Sequence, residues 1–373
     1  MMNKRVRAIA FYLPQFHPVD ANDKYWGKGF TEWTNVTKAK PLYKGHKQPH
    51  LPGDLGFYDL RLPDVREEQA KLAREAGIEG FCYWHYWFGG GERVLERIFN
   101  EIVESGKPDF PFCLGWANDS WTGRWYGADD EIIFEQKYPG EEDYRKHFEC
   151  ILPALKDKRY IEIDGKKVFV IYHPDYIPDL DEFIALWQRW AQEEGLKGFY
   201  FISNADHFSI ENTNMDGFVD NAPLAHMYKF KLSWFDFLRK ILIKRIYKVT
   251  FINYLMLRKK SPFLKEYEEY IEFYKTFKLD DKQFPVVVPN WDNTPRCGNM
   301  GFVLQNSTPE LFRQLLKLAI AMVCETANKD KRVVFIKSWN EWAEGNYLEP
   351  DQEWGRKYLD VCKDEIFEHP QKS

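Results

Sequence analysis

Two glutamates three positions apart, Glu341 and Glu344, stand in the run Ser338-Trp339-Asn340-Glu341-Trp342-Ala343-Glu344-Gly345. A carboxyl pair suits chemistry at a glycosidic bond, where one group protonates the leaving oxygen and the other acts as nucleophile or base. The i, i+3 spacing just after a strand, stiffened by Trp342 and released by Gly345, can put both side chains in one mouth. Close like charges also raise one of the two pKa values, which keeps one group protonated near neutrality. The alternative is an acid-rich first helical turn, although Asn346-Tyr347-Leu348-Glu349-Pro350 does not continue a helix.

Aromatic, amide and imidazole side chains recur where the other apolar runs end. Tyr12, Gln15 and His17 follow the first run; Trp84 and His85 close the second; Trp116, Asn118 and Trp121 close the third, with Trp125 beyond. Tyr172 and His173, Asn204, Asn221, and Asn290 with Trp291 follow in turn, and Asn340 and Trp342 flank Glu341. Trp33 lies in the long segment after the first run. Planar amides and carboxylates bind paired hydroxyls, and indoles cover the apolar face of a pyranose. The expected sugar-binding set is therefore Tyr12, His17, Trp33, Trp84, His85, Trp116, Asn118, Trp121, Tyr172, Asn290, Trp291, Asn340 and Trp342. Any one of them could instead seal a barrel end. Aromatics make up 17% of the chain, with 14 Trp and 21 Tyr, and their polar atoms need partners that a stacking cleft provides.

The elements that must position these groups are short, apolar and β-rich. They are Val6–Leu13, Ile78–Trp84, Phe110–Trp116, Lys167–Tyr172, Gly198–Ser203, Gly217–Asn221, Phe284–Pro289 and Arg332–Ser338. Helical patterns separate most of them: Pro63–Ala76, Gly91–Ser105, Glu141–Lys156, Asp179–Glu194, Pro262–Lys278 and Pro309–Asn328, with Asp351–Phe367 after the last strand. Only about a turn of helix, Phe208–Met215, falls between the fifth and sixth strands. Continuous apolar strands alternating with helices imply a parallel sheet covered on both faces, and eight such units imply a single-domain α/β chain closed as a (β/α)₈ TIM barrel. Chemistry in that fold lies at the C-terminal strand ends.

Two insertions exceed a minimal barrel, a loop over 14–62 and a segment over about 227–260. The second holds ten Lys/Arg against the single acid Asp236, which fits either a lid with solvated lysines or a membrane-surface helix touching a lipid-linked glycan. The net charge of −5 does not suggest a nucleic-acid partner. The six cysteines are scattered, no metal-ligand spacing occurs, and no cofactor motif stands out. Asp179-Leu180-Asp181 precedes a helix and reads as an N-cap rather than a sugar-nucleotide motif. The first residues reach Pro14 and Gln15 before an apolar leader core forms, and no run approaches a membrane span, so a cytoplasmic location is expected; the membrane-surface alternative for the basic segment would add peripheral contact at the inner membrane.

The segments Ala10–Pro18 (AFYLPQFHP), Gly29–Val36 (GFTEWTNV), Gly80–Phe88 (GFCYWHYWF), Leu114–Trp125 (LGWANDSWTGRW) and Ser338–Pro350 (SWNEWAEGNYLEP) together resemble the WbsX-like family of polysaccharide-cluster proteins. That family is related to glycoside hydrolase family 99, the endo-α-mannosidases and endo-α-mannanases. The resemblance implies a (β/α)₈ barrel and an oligosaccharide or polysaccharide substrate. It further implies that Glu344 is general acid/base, while Glu341 deprotonates a sugar 2-hydroxyl that attacks the anomeric carbon with net retention. Family 99 enzymes work in secretory or periplasmic spaces, and the basic segment over 227–260 is a departure from them. WbsX-like proteins are also described as glycosyltransferases of O-antigen and capsule, including lipopolysaccharide. Three readings follow: a retaining glycosidase or transglycosidase, a transferase using an activated sugar, and a glycan-binding barrel without catalysis.

Overall fold

The computed structural model describes residues 3–123, 128–204, 210–211, 213–220 and 262–368. Asn221, Trp125 and the basic segment over 227–260 lie outside these residues.

Eight strands follow one another with helices between most of them, as the apolar runs require. They are β1 (Arg7–Tyr12), β2 (Gly80–His85), β3 (Phe112–Trp116), β4 (Lys166–Ile171), β5 (Phe199–Ser203), β6 (Gly217–Asp220), β7 (Gln283–Val287) and β8 (Val333–Ile336). Each pairs in parallel with the next, and β8 returns to β1 with Arg7 opposite Val333 and Ala10 opposite Ile336, so the ring closes as a (β/α)₈ barrel. Closure buries both faces of every strand, and this is why β8 can read Val-Val-Phe-Ile without alternation.

The period of two along each strand then assigns neighbours to opposite layers. On β1, Phe11 turns inward and stacks on Phe335 at 5.5 Å and on Trp84 at 4.9 Å. Its neighbour Tyr12 turns outward and donates its hydroxyl proton to Gln69 Oε1 (2.8 Å) on helix α1 (Pro63–Glu75). On β3, Gly115 faces the Trp84 ring so closely that a Cβ there would lie 3.1 Å from it, so glycine leaves room for the indole.

The outer layer follows amphipathic spacing. Helix α1 starts with Pro63 at a first-turn position and buries Arg66, Gln69, Ala70 and Ala73 at intervals of three and four. It is followed by α2 (Glu96–Ser105), α3 (Glu141–Leu155), α4 (Leu180–Glu193), α5 (Tyr267–Tyr274), α6 (Pro309–Cys324) and α7 (Lys357–Ile366). Thr308 caps α6 by accepting the Leu311 N–H at 3.2 Å. Asp179 occupies the N-cap position of α4, but its side chain makes no capping hydrogen bond.

Several helical expectations are corrected. Pro262–Lys278 is not helical throughout: Phe263–Glu266 is extended and pairs with Phe302–Gln305, which also pairs with Trp291–Asp292, so strand partners override local propensity. Gly91–Ser105 becomes helical only at Glu96, after Leu95 adopts a left-handed conformation. Asp351–Phe367 becomes helical only at Lys357, because Asp351 accepts the Tyr347 hydroxyl (2.9 Å) and the Trp354 N–H (2.5 Å) and forms a turn instead. The expected turn of helix over Phe208–Met215 lies partly outside the described residues.

Two additions frame the C-terminal mouth. The insertion after β1 contains the short helices Asp20–Trp26 and Glu32–Lys38. After β3, Trp121–Gly123 pairs antiparallel with Ala128–Phe134.

Candidate active site

A cavity of about 300 Å³ opens at the C-terminal strand ends. Phe11, Trp84, Tyr172, Asn204 and Lys337 reach it from barrel strands or the residues just past them; Tyr86, Ala117 and Ser338 follow further on. The first insertion contributes Gln15, Trp26, Glu32 and Asn35, the hairpin contributes Trp121 and Thr122, and the loop after β7 contributes Arg296. Glu341 and Glu344 complete the wall together.

The turn that carries the two glutamates is held from behind. Asn340 is fully buried; its Oδ1 accepts the Leu13 N–H (2.8 Å) and its Nδ2 donates to the Leu13 carbonyl (3.0 Å), which ties the turn after β8 to the end of β1. Trp342 stacks on Tyr347 at 3.8 Å and donates its indole N–H to Glu349 (2.6 Å). Glu349 also accepts from Gln69 (2.7 Å) and Tyr58 (2.9 Å), so the turn is anchored to α1 and to the first insertion. Burial pushes Glu349 up to about 7, against the hydrogen bonds from Trp342, Gln69 and Tyr58. Trp33 packs on Trp342 at 5.3 Å and donates to the Tyr58 carbonyl (2.9 Å).

In front of the turn, one guanidinium meets three carboxyl groups. Arg296 donates through Nη1 to Glu344 (2.7 Å) and through Nη2 to Glu32 (2.6 Å) and Glu341 (3.2 Å). Glu32, 1% exposed, also accepts the Ala343 N–H at 3.1 Å. Burial pushes Glu341 up to about 8, the charge of Glu344 adds to this, Arg296 opposes it, and smaller effects of Glu32 and Lys337 oppose each other. Glu32 is likewise raised by burial, against Arg296. Burial works against the charge of Arg296, but Glu32, Glu344 and Glu341 override it and hold the guanidinium protonated.

The loop that delivers Arg296 has its own lock. His46 Nδ1 accepts the Leu42 N–H (3.0 Å), so Nε2 carries the proton and donates to Asp292 (2.7 Å). Asp292 also accepts from Gln48 (2.6 Å) and the Thr294 hydroxyl (2.6 Å). Burial disfavours its charge, yet the donors His46, Thr294 and Gln48 hold it below the usual carboxylate range.

Of the expected site residues, Glu341, Glu344, Trp84, Trp121 and Tyr172 share the cavity. Trp84 and Tyr172 meet edge to face at 5.7 Å, and Trp121 meets Tyr86 edge to face at 5.2 Å. The others lie elsewhere for identifiable reasons. Tyr12, His85 and Trp116 take outward positions on their strands. The rings of His85 and His147 stack at 5.0 Å with their Nε2 atoms 2.8 Å apart, and Trp116 meets the His147 ring at 4.8 Å. Burial pushes His85 down to about 3. Asn118 clamps His173, accepting its N–H (2.7 Å) and donating to its carbonyl (2.7 Å). His17 is buried, while Trp33, Asn340 and Trp342 support the glutamate turn. Asn290 and Trp291 line a neighbouring cavity of about 110 Å³, with Lys337 Nζ 5.6 Å from the centre of the Trp291 ring.

Glu32 and Arg296 were not singled out from the sequence. Glu32 lies inside the segment Gly29–Val36 that carries part of the family resemblance, and Arg296 follows Asn290-Trp291-Asp292-Asn293 by three residues. The place of Glu32 in the long first insertion was the available signal for it; Arg296 carried none. Among the described residues, no group of three or more His, Cys, Asp or Glu is arranged to hold a metal ion, and no helix is long and apolar enough to cross a membrane.

A solved structure described as a glycoside hydrolase-like protein has a TM-score of 0.57 at 15% identity, covering 99% of this chain and 96% of that one. The GH99 endo-alpha-mannosidase from Bacteroides thetaiotaomicron has a TM-score of 0.51 at 16% identity, covering 96% of each chain. Both likenesses concern the fold. Two proteins described as uncharacterized protein WxcX, from two strains of Xanthomonas campestris pv. campestris, are 32% identical over 367 and 365 residues. These matches take in 97% of this chain but 50% of each relative, so the chain spans about half their length. A family model described as Glycosyltransferase WbsX matches residues 8–362, and the chain belongs to that WbsX family.

Proposed function

We propose that this chain is a carbohydrate-active enzyme that breaks, or transfers across, a glycosidic bond in a surface polysaccharide or its precursor. Glu341 and Glu344 are its acid/base pair. The observation that carries the reading is their position side by side in an aromatic-walled cavity at the C-terminal end of the barrel strands, both within reach of one guanidinium.

The chemistry follows the family resemblance. Glu344 donates a proton to the leaving oxygen as its bond to the anomeric carbon breaks, while Glu341 takes the proton from the sugar 2-hydroxyl. That oxygen bonds to the anomeric carbon and forms a 1,2-anhydro sugar. Water, or a hydroxyl of an acceptor sugar, then opens the ring; Glu344 takes its proton and Glu341 returns a proton to O2. Water as acceptor gives hydrolysis and a sugar gives transfer, so one site accommodates both the hydrolase-like barrel and a family described as glycosyltransferases.

The charge of the cavity favours a neutral glycan donor over a nucleotide diphosphate sugar. Glu32, Asp119, Glu341 and Glu344 line it against Arg296 and Lys337, and Arg296 is already engaged by three carboxyl groups. The test is to incubate the protein with α-mannosides and capsule or O-antigen oligosaccharides, with and without nucleotide sugars, and to analyse products by mass spectrometry. Cleavage or chain exchange without nucleotide is expected. Transfer that depends strictly on a nucleotide sugar would overturn the mechanism, and glycan binding without turnover would leave only a recognition barrel.

A further inference from the structure

Arg296 and Glu32 take no part in the proton transfers above, yet both touch the glutamate turn. Glu32 Oε1 accepts from Arg296 Nη2 at 2.6 Å and from the Ala343 N–H at 3.1 Å. It thus grips the guanidinium and the peptide between the two glutamates at once. From that anchor Arg296 reaches Glu344 at 2.7 Å through one nitrogen and Glu341 at 3.2 Å through the other. The three pieces come from separate elements: the short helix Glu32–Lys38, the short helix Thr294–Cys297 and the turn after β8. A planar guanidinium bonded at both ends resists rotation in a way that a single ammonium does not.

One cation among three carboxyl groups leaves the cluster short of positive charge. The groups that face Glu341 are Glu344 on its own turn, Arg296 from the loop after β7, Glu32 from the first insertion, Lys337 at the end of β8 and Tyr86 after β2. Arg296 and Lys337 favour an ionised Glu341, while Glu344 and Glu32 disfavour it. Tyr86 stays neutral, because burial and then the charge of Glu341 hold its phenol far above its ordinary value.

We propose that Arg296, anchored by Glu32, is a positioning residue for the glutamate pair, fixing the separation of the two carboxyl groups and deciding which of them keeps a proton. The inference rests on the acid/base reading of Glu341 and Glu344. It also explains why an acid is buried opposite them at Glu32: that carboxylate draws the guanidinium toward itself and lessens the neutralisation of the other two.

The titration arm of the test needs no substrate, and turnover is read separately. The full chain, labelled with carboxyl-¹³C glutamate, is titrated by NMR, and the Glu341 resonance is identified by its loss in Glu341→Gln. Glu32→Gln keeps an acceptor for the Ala343 N–H but removes a charge, so the Glu341 midpoint is expected to move to lower pH. Arg296→Gln removes the opposing charge, so the midpoint is expected to move to higher pH. Arg296→Lys keeps the charge without the fork; it should leave the titration near that of the parent protein while turnover falls by about 10²-fold through lost alignment. Circular dichroism checks folding, and should Arg296→Gln not fold, Glu32→Gln decides alone. A Glu341 midpoint unmoved in Glu32→Gln, or moved in the same direction by both variants, overturns the proposal. Titrations that shift as expected in a protein that neither cleaves nor transfers any glycan remove the acid/base reading and leave the charge division standing. Unshifted titrations in an active enzyme remove Arg296 and Glu32 from the positioning role alone.

Discussion

Glu341 and Glu344 share one guanidinium at different distances, 3.2 and 2.7 Å, and their substitution should fail in different ways. Glu344→Gln removes the proposed proton donor, a loss of about 10²–10⁴-fold on natural glycans. Activated aryl glycosides, whose leaving groups need no proton, should restore much of that rate. Glu341→Gln removes the proposed activation of the 2-hydroxyl, and the same substrates should not rescue it. The measurement is kcat/KM for each variant on both substrate types. Rescue of Glu341→Gln instead would exchange the two roles.

The turn after β8 works only because it is pressed against the loop after β7. Gly345 has a φ of +54°, and a Cβ built on it would lie 2.7 Å from the Asp292 nitrogen and 2.8 Å from the Asp292 carbonyl oxygen. Asp292 is locked by His46, Gln48 and Thr294, so it cannot simply withdraw. Four residues later the same loop presents Arg296. Gly345→Ala should therefore cost about 1–3 kcal/mol in urea unfolding through backbone strain. It should also lower turnover by displacing the guanidinium from the glutamates. A variant unchanged in both stability and turnover would show that the two loops pack more loosely than these distances imply.

At the scale of the molecule, buried ionisable groups give stability a predictable dependence on pH. Glu349 and Glu341 are raised to about 7 and about 8 from an ordinary value of 4.5, so above pH 4.5 the unfolded chain binds fewer protons at these sites than the folded one. Stability from these sites is full below the unfolded value and is lost as pH rises through the folded values. His85, pushed down to about 3, and His147, also lowered by burial, have the opposite sign. Their contribution is present above the ordinary 6.5 and is lost as pH falls. Between the histidine value and pH 8 the glutamates act alone, so stability should decline there by on the order of 1–3 kcal/mol. Urea midpoints measured across that interval check this, and Glu341→Gln should flatten the decline. A parent protein whose stability rises across the interval would contradict the assigned burial of the pair.

Eight apolar runs with helices between them were enough to dictate a closed parallel barrel, because strands covered on both faces must be apolar throughout. The glutamate pair was legible for a local reason: its spacing and the glycine after it hold without reference to distant residues. Which strand-end side chains enter the cavity was decided by the pleat, whose phase depends on how each strand seats in the barrel. Trp84 and Tyr172 fall inward, whereas Tyr12, His85 and Trp116 fall toward the helices. A continuous apolar strand carries no alternation from which that phase could be read. The approach of Glu32 and Arg296 to residues 341–344 was also a tertiary matter. It joins positions 264 residues apart in the chain, and only the docking of the first insertion against the loop after β7 brings their opposite charges together.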